Sequence, residues 1–229
     1  MIKIQNLSKM YGSKKVIESW NYQLETGKIY GLIGRNGIGK TTLMKCVSGL
    51  NTIDAGEIFT EQGEITDKDY LKRNIVYVSD DPVYYNDLTL YEHLWLICRI
   101  ENYDKNDAKE KIDFYINKLN MEEYMYYYPT AMSKGTLQRM MLIMGFLRKD
   151  SNMLLDEPFN GLDPIQLQEV LKLCEEQKTQ RCTIISSHDI ESLGAVCDSY
   201  LIFTAQGIQA FTNNLNRDEI NKLIGESYA

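Results

Sequence analysis

The sequence predicts an α/β fold: a parallel core sheet, an antiparallel β layer at the start, and a block of helices inserted at roughly 85–145. Three observations predict it. The run 34–42 is a glycine-rich turn between a short apolar strand and a helix-patterned stretch. Short apolar strands then alternate with helical patterns, the order that builds parallel sheets. Finally, the first 24 residues alternate apolar and polar side chains with period 2, the pattern of half-buried antiparallel strands.

The elements follow in order. Met1–Leu7 and Val16–Leu24 read as strands, separated by a turn at Tyr11-Gly-Ser, and Glu25-Thr-Gly27 closes a second turn. Lys28–Ile33 is the buried strand before the glycine run, and Thr41–Ser48 the helix after it. Glu57–Thr60 and Ile75–Ser79 are strands. The stretch Asp80–Leu88 is an irregular polar connector, after which Thr89 caps a helix running from Leu90 to about Arg99. Residues Lys105–Met121 carry Ala108, Ile112, Tyr115, Ile116 and Leu119 at helical spacing. Tyr124–Tyr128 is dense in aromatics, which predicts packing within the helical block. Ser133 opens a helix to about Leu147. Ser151–Glu157 is a strand ending in two acids, Pro164 begins a helix to about Gln177, and Cys182–Ser187 is a further buried strand. Tyr200–Phe203 and Ile208–Phe211 form a terminal hairpin around Gln206-Gly207, with a small helix from Asp218 to about Gly225. No repeat or low-complexity tract divides the 229 residues, so a single domain over 1–229 is expected.

Composition bounds the function. The formal net charge is −7, which disfavours nonspecific binding to nucleic acid or anionic membrane. No apolar run approaches a membrane span, and Met-Ile-Lys-Ile-Gln at the start carries no signal-peptide pattern. The five cysteines include no CxxC pair, so they read as reduced thiols rather than a zinc site.

The chemistry begins at Gly34, Arg35, Asn36, Gly37, Ile38, Gly39, Lys40, Thr41 and Thr42. These residues contain GxxxxGK[ST], the phosphate-binding P-loop. Such a loop turns backbone N–H groups toward phosphate oxygens, the lysine reaches the β- and γ-phosphates, and the hydroxyl after it helps to hold Mg²⁺. The helix that follows adds the positive end of its dipole. An ordinary glycine turn is the plainer alternative, but the strand–loop–helix context is what the motif requires. More than a hundred residues later, Met153-Leu-Leu-Asp156-Glu157 is an apolar strand delivering Asp156 toward Mg²⁺, with Glu157 placed as general base. His188 follows the strand Thr183–Ser186, whose end is expected in the same crevice. The other histidine, His93, lies in a helix pattern and reads as structural.

Met132-Ser-Lys-Gly-Thr-Leu-Gln-Arg139 resembles the LSGGQ signature, with Ser133 and Gly135 matching. Gly161-Leu-Asp163-Pro164 resembles the D-loop and Ser187-His188-Asp189 the H-loop. Tyr11 falls where an adenine-stacking aromatic is placed. In this order the motifs resemble the ATP-binding subunit of an ATP-binding cassette (ABC) transporter over nearly the whole chain. The resemblance implies a P-loop NTPase core and an ATPase using ATP and Mg²⁺. It implies two subunits, alike or different, sandwiching two ATP molecules. Lys40, Glu157 and His188 would be catalytic, while Thr41, Asp156 and Asp80 would face the metal. Ser133 and Gly135 would complete the site of the opposite subunit, and Asp163 would communicate across the dimer. It further implies a cytoplasmic protein held to the inner face of the membrane by a separate permease, docked at the helical block and the Asp80 connector. Exporter type is expected from the short C-terminus.

Three positions depart from the family pattern. Asp80 stands where a glutamine touches Mg²⁺; it can still accept there, with a shorter stem and a charge. Lys134 replaces the first signature glycine, its charge suited to phosphate or a surface contact, with solvation the plainer reading. Met132 replaces leucine at similar volume. Two other classes compete. A non-transport ABC ATPase, a regulator or a nucleic-acid-linked protein, would carry coiled-coil heptads or a second cassette. A P-loop kinase or GTPase would lack the signature.

Overall fold

The computed structural model describes residues 1–60, 63–65, 74–149, 152–212 and 214–225. Ten strands form two sheets among these residues. The first sheet is antiparallel, in the order β2 (Lys14–Leu24), β1 (Ile2–Tyr11), β4 (Ala55–Thr60), β5 (Gly63–Ile65). The β1–β2 hairpin closes through Gly12 and Ser13, with Gly12 at φ 60°, a left-handed conformation that glycine adopts without cost. Ile2 and Ile4 point inward by alternation, yet Leu7 is also buried. The register slips between Ile4 and Leu7, where Asn6 is left-handed at φ 49°. This bulge returns Leu7 to the core face.

The second sheet has the order β10 (Gly207–Thr212), β9 (Ser199–Thr204), β3 (Ile29–Ile33), β8 (Thr183–Ser186), β7 (Asn152–Asp156), β6 (Ile75–Val78). All neighbours are parallel except β10, which runs antiparallel to β9 as the expected hairpin. Every residue of β3 is buried, as a central parallel strand requires. Its alternate side chains serve two cores: Tyr30 and Leu32 pack toward the antiparallel sheet and α1 (Lys40–Val47), Ile29 and Ile33 toward the helices on the other face. Leu154 and its neighbours Met153 and Leu155 divide in the same way on β7. The expected start of that strand at Ser151 lies outside the described residues.

Between β6 and β7 lie α2 (Leu90–Ile100), α3 (Lys105–Lys118) and α4 (Lys134–Phe146). Thr89 caps α2 through a capping box with Glu92. The α3 pattern runs on to Leu119, but the helix stops at Lys118 and Asn120 is left-handed at φ 50°. Buried Arg139 on α4 then donates from Nη1 to the carbonyls of Leu119 (2.8 Å) and Asn120 (3.0 Å), tying α4 to that helix end. His93 is structural: buried, it accepts the Tyr85 N–H at Nε2 (3.0 Å), which leaves Nδ1 to donate to the Thr89 carbonyl (2.8 Å).

The aromatic run corrects one expectation. Tyr124 and Met125 pack against the core, but Tyr126, Tyr127 and Tyr128 are 74%, 50% and 49% exposed. The segment lies between two 3₁₀ turns, Glu122–Tyr124 and Pro129–Ala131, and has no helical period to gather its rings on one face.

Helices α5 (Pro164–Glu176), α6 (Ile190–Gly194) and α7 (Arg217–Gly225) complete the chain. All five cysteines are buried, and the described residues contain no group of three His, Cys, Asp or Glu arranged to hold a metal ion.

Candidate functional site

Parallel strands β3, β7 and β8 bring their C-terminal ends to one edge of the sheet, the place where open α/β sheets bind ligands. There the loop 34–39 leaves β3 and enters α1 at Lys40. A cleft of about 520 Å³ opens beside it, walled in part by Tyr11, Asn36, Lys40, Thr41, Asp156 and Glu157. Gly37, Gly39, Thr42, Asp80 and His188 line it too. Gly39 has φ 129°, and a Cβ there would lie 2.4 Å from Val16 Cγ1, so only glycine lets the loop close against β2. Gly34, Arg35 and Ile38 shape the loop from behind; the Ile38 N–H donates to the Arg35 carbonyl at 3.3 Å.

Lys40 is buried and folds over the loop, its Nζ donating to the carbonyls of Gly34 (2.8 Å) and Arg35 (3.4 Å). Burial pulls its ammonium below the usual lysine range, and the nearby charges of Glu157 and Asp156 oppose that shift. Asp156, 3% exposed, receives three hydroxyls: Thr41 (2.7 Å) and Tyr77 (2.8 Å) at Oδ2, and Ser186 (2.6 Å) at Oδ1. Its carboxylate is thereby fixed beside the loop.

Glu157 follows in the left-handed region at φ 48°, a strained conformation for a residue with a Cβ. Its N–H donates to Ser186, at the carbonyl (3.1 Å) and at Oγ (3.0 Å), and this pins the turn. Oε1 of Glu157 lies 3.0 Å from Nε2 of His188 but off the line a hydrogen bond needs, and it is buried without a hydrogen-bond partner. Burial raises the carboxyl's pKa above the ordinary glutamate value, opposed by His188 and Lys40. An unpaired buried carboxylate oxygen beside an imidazole suits an acceptor awaiting a proton donor. Together with the Thr41–Asp156 pair, a hydroxyl and a carboxylate of hard-cation chemistry, it fits a site for a nucleotide with Mg²⁺.

Beyond the phosphate loop, three expected site residues stand outside the cleft of their own chain. Ser133 is the exposed N-cap of α4, its Oγ accepting the Thr136 N–H at 3.2 Å. Gly135, the second residue of that helix, packs on the loop after Glu157: a Cβ there would lie 2.2 Å from the Gly161 carbonyl oxygen. Asp163 caps α5, accepting the N–H groups of Ile165 and Gln166 at 2.9 Å each. Tyr11 stands at the cleft edge, 52% exposed, its hydroxyl receiving the Asn51 amide at 3.1 Å.

Sequence reasoning missed Tyr77 and Ser186, which hold Asp156, and Lys14, Val16 and Asn160, which line the cleft. Ser186 was within reach of a register argument, because it pairs directly with Asp156 across β7 and β8.

A family model described as "ABC transporter" matches residues 17–160. The chain belongs to the ABC transporter family. The lantibiotic transport ATP-binding protein SrtF of Streptococcus pyogenes is 32% identical over 199 residues, 86% of this chain and 84% of that protein. An Fe(3+) ions import ATP-binding protein, FbpC of Fusobacterium nucleatum, is 30% identical over 210 residues, 91% of this chain and 57% of its own. A solved structure of an ATP-binding subunit of an ABC transporter superposes with a TM-score of 0.82 at 27% identity, covering 100% of this chain and 95% of that one. The ABC chain described here is thus an ATP-binding subunit with ATPase activity, of a kind that works with membrane permease components.

Proposed function

We propose that the chain, read as one ATPase domain over 1–229, hydrolyses Mg²⁺–ATP between two subunits and so drives an exporter-type permease. The reading rests first on one observation: Lys40, Thr41, Asp156, Glu157 and His188, far apart in sequence, border a single cleft, and Glu157 there presents a buried, unpaired oxygen. The loop 34–42 would cradle the phosphates and Tyr11 would stack on the adenine. Thr41, Asp156 and Asp80 would hold Mg²⁺, which when bound offsets phosphate charge and polarises the γ-phosphate. Glu157 takes a proton from the attacking water at its carboxylate, and His188, with Nε2 3.0 Å from Oε1, supports that carboxylate electrostatically and would contact the phosphate.

Ser133, Gly135 and Asp163 lie outside this cleft, which supports assigning them to a nucleotide held by an opposing subunit. The start of α4 offers a hydroxyl and free N–H groups, the equipment of an anion site. Among the described residues no helix is long and apolar enough to cross a membrane, so attachment to the inner face of the cell membrane falls to the permease. The docking surface is assigned to the connector and the aromatic run. Val83 and Tyr85 are 72% and 64% exposed, and Tyr126 lies against Tyr91 of α2 at 6.2 Å between ring centroids. Exporter type is the finer part of the proposal: substrate moved outward with the co-eluting permease would support it, and uptake would overturn it.

Purification of a tagged copy from membranes tests the partner: a polytopic membrane protein should co-elute, and its loss on replacing Tyr85 and Tyr126 with Ser would place the contact. Recovery of nucleic acid instead would favour the non-transport reading. Asp80→Gln tests the connector. The longer, neutral side chain is expected to change the Mg²⁺ concentration needed for half-maximal turnover; an unchanged Mg²⁺ profile makes Asp80 a bystander.

A further inference from the structure

Two of the three departures from the family pattern touch each other. Lys134 Nζ lies 3.3 Å from Asp80 Oδ1, and the same oxygen accepts the Asn160 amide at 2.9 Å. The residues are far apart in sequence, and they join the connector after β6, the first residue of α4 and the loop after Glu157. Asp80 and Asn160 line the cleft; Lys134 is not among its walls. The pair thus links a residue of the cleft wall to a cation outside that wall.

Electrostatics give each partner a reason for the other. A carboxylate at position 80 adds a third acid to a cleft that already holds Asp156 and Glu157 and is read as taking a polyanion. A lysine at the first position of a helix opposes the helix dipole, and the first turn of α4 carries no acidic residue of its own. Asp80 supplies that missing negative charge from another segment, and Lys134 cancels the charge that Asp80 brings to the cleft.

We propose that Lys134 is a positioning residue for Asp80: it holds the carboxylate in place at the cleft wall and neutralises it, fixing the connector to the signature turn of the same chain. An amide at position 80 would need no such partner. The inference rests on the ATP reading for its second half only, since the tie itself belongs to the nucleotide-free protein.

Two measurements on the full chain test it. In the nucleotide-free protein, Lys134→Met should speed amide hydrogen exchange across residues 79–89 by about three- to fivefold, the scale of an exposed ion pair, while Lys134→Arg retains the slow exchange. Equal exchange in wild type and Lys134→Met overturns the tie. In ATP titrations with EDTA, Lys134→Met should weaken binding by about the same factor, and Asp80→Asn should remove that penalty in the double variant. If Lys134→Met weakens ATP equally with Asp80→Asn present, Lys134 acts on the nucleotide directly and the neutralising role is wrong. If the wild-type chain binds no ATP while exchange still follows the charge at 134, the nucleotide reading falls and the tie remains.

Discussion

Glu157→Gln is expected to lower ATP turnover by about 10²- to 10⁴-fold, the range lost with a general base, while ATP binding persists. The amide keeps the shape of the side chain and the left-handed turn at φ 48°, whose N–H bonds to Ser186 come from the backbone. What it loses is the ability to take a proton. Single-turnover hydrolysis and equilibrium binding on the same variant separate the two, and a stable ATP-bound dimer should accumulate. Turnover equal to wild type would remove Glu157 as the base. The acid side of the wild-type pH–rate profile offers a second check. Burial raises the carboxyl's pKa, so the base is lost by protonation as pH falls through a value above the ordinary glutamate range. The rate is full above that value and declines below it, and Glu157→Gln should abolish this limb.

Ser133→Arg should abolish steady-state hydrolysis, with nucleotide binding to the monomer intact. The position is exposed and outside the cleft of its own chain, so a large cation does not disturb the phosphate loop. The loss of the cap on Thr136 costs about 0.5–2 kcal/mol, which Ser133→Ala reproduces without added bulk. Comparison of the two isolates the steric block between subunits. Size-exclusion chromatography with ATP and without turnover reads it: a dimer for Ser133→Ala, a monomer for Ser133→Arg. A dimer of Ser133→Arg would sink the two-subunit site for this chain.

Legibility followed the range of the interaction. The phosphate loop, the Asp156–Glu157 strand end and the Thr89 cap are local patterns, and each could be read from a few consecutive residues. The hydroxyls of Tyr77 and Ser186 reach Asp156 because β6 and β8 flank β7, an order no single stretch encodes. The Asp80–Lys134 pair was visible as two oddities but not as one contact, because only the packing of α4 beside the connector brings them together. At five residues, α6 is shorter than any periodicity can reveal. The exposed Tyr126–Tyr128 failed in the other direction. Aromatic density suggested packing, whereas the irregular backbone between two 3₁₀ turns turns those rings outward.

The contact between Gly135 and Gly161 changes what a motif match is worth as a sign of activity. Both positions resist a Cβ for reasons internal to one chain: at Gly135 it would meet the Gly161 carbonyl at 2.2 Å, and Gly161 is left-handed at φ 77° with the backbone of Gly135 3.1 Å from its Cβ position. A match at these two glycines therefore reports that the start of α4 and the loop after Glu157 fit together within one chain. Glu157 and His188, which line the cleft, are the pair that reports its chemistry.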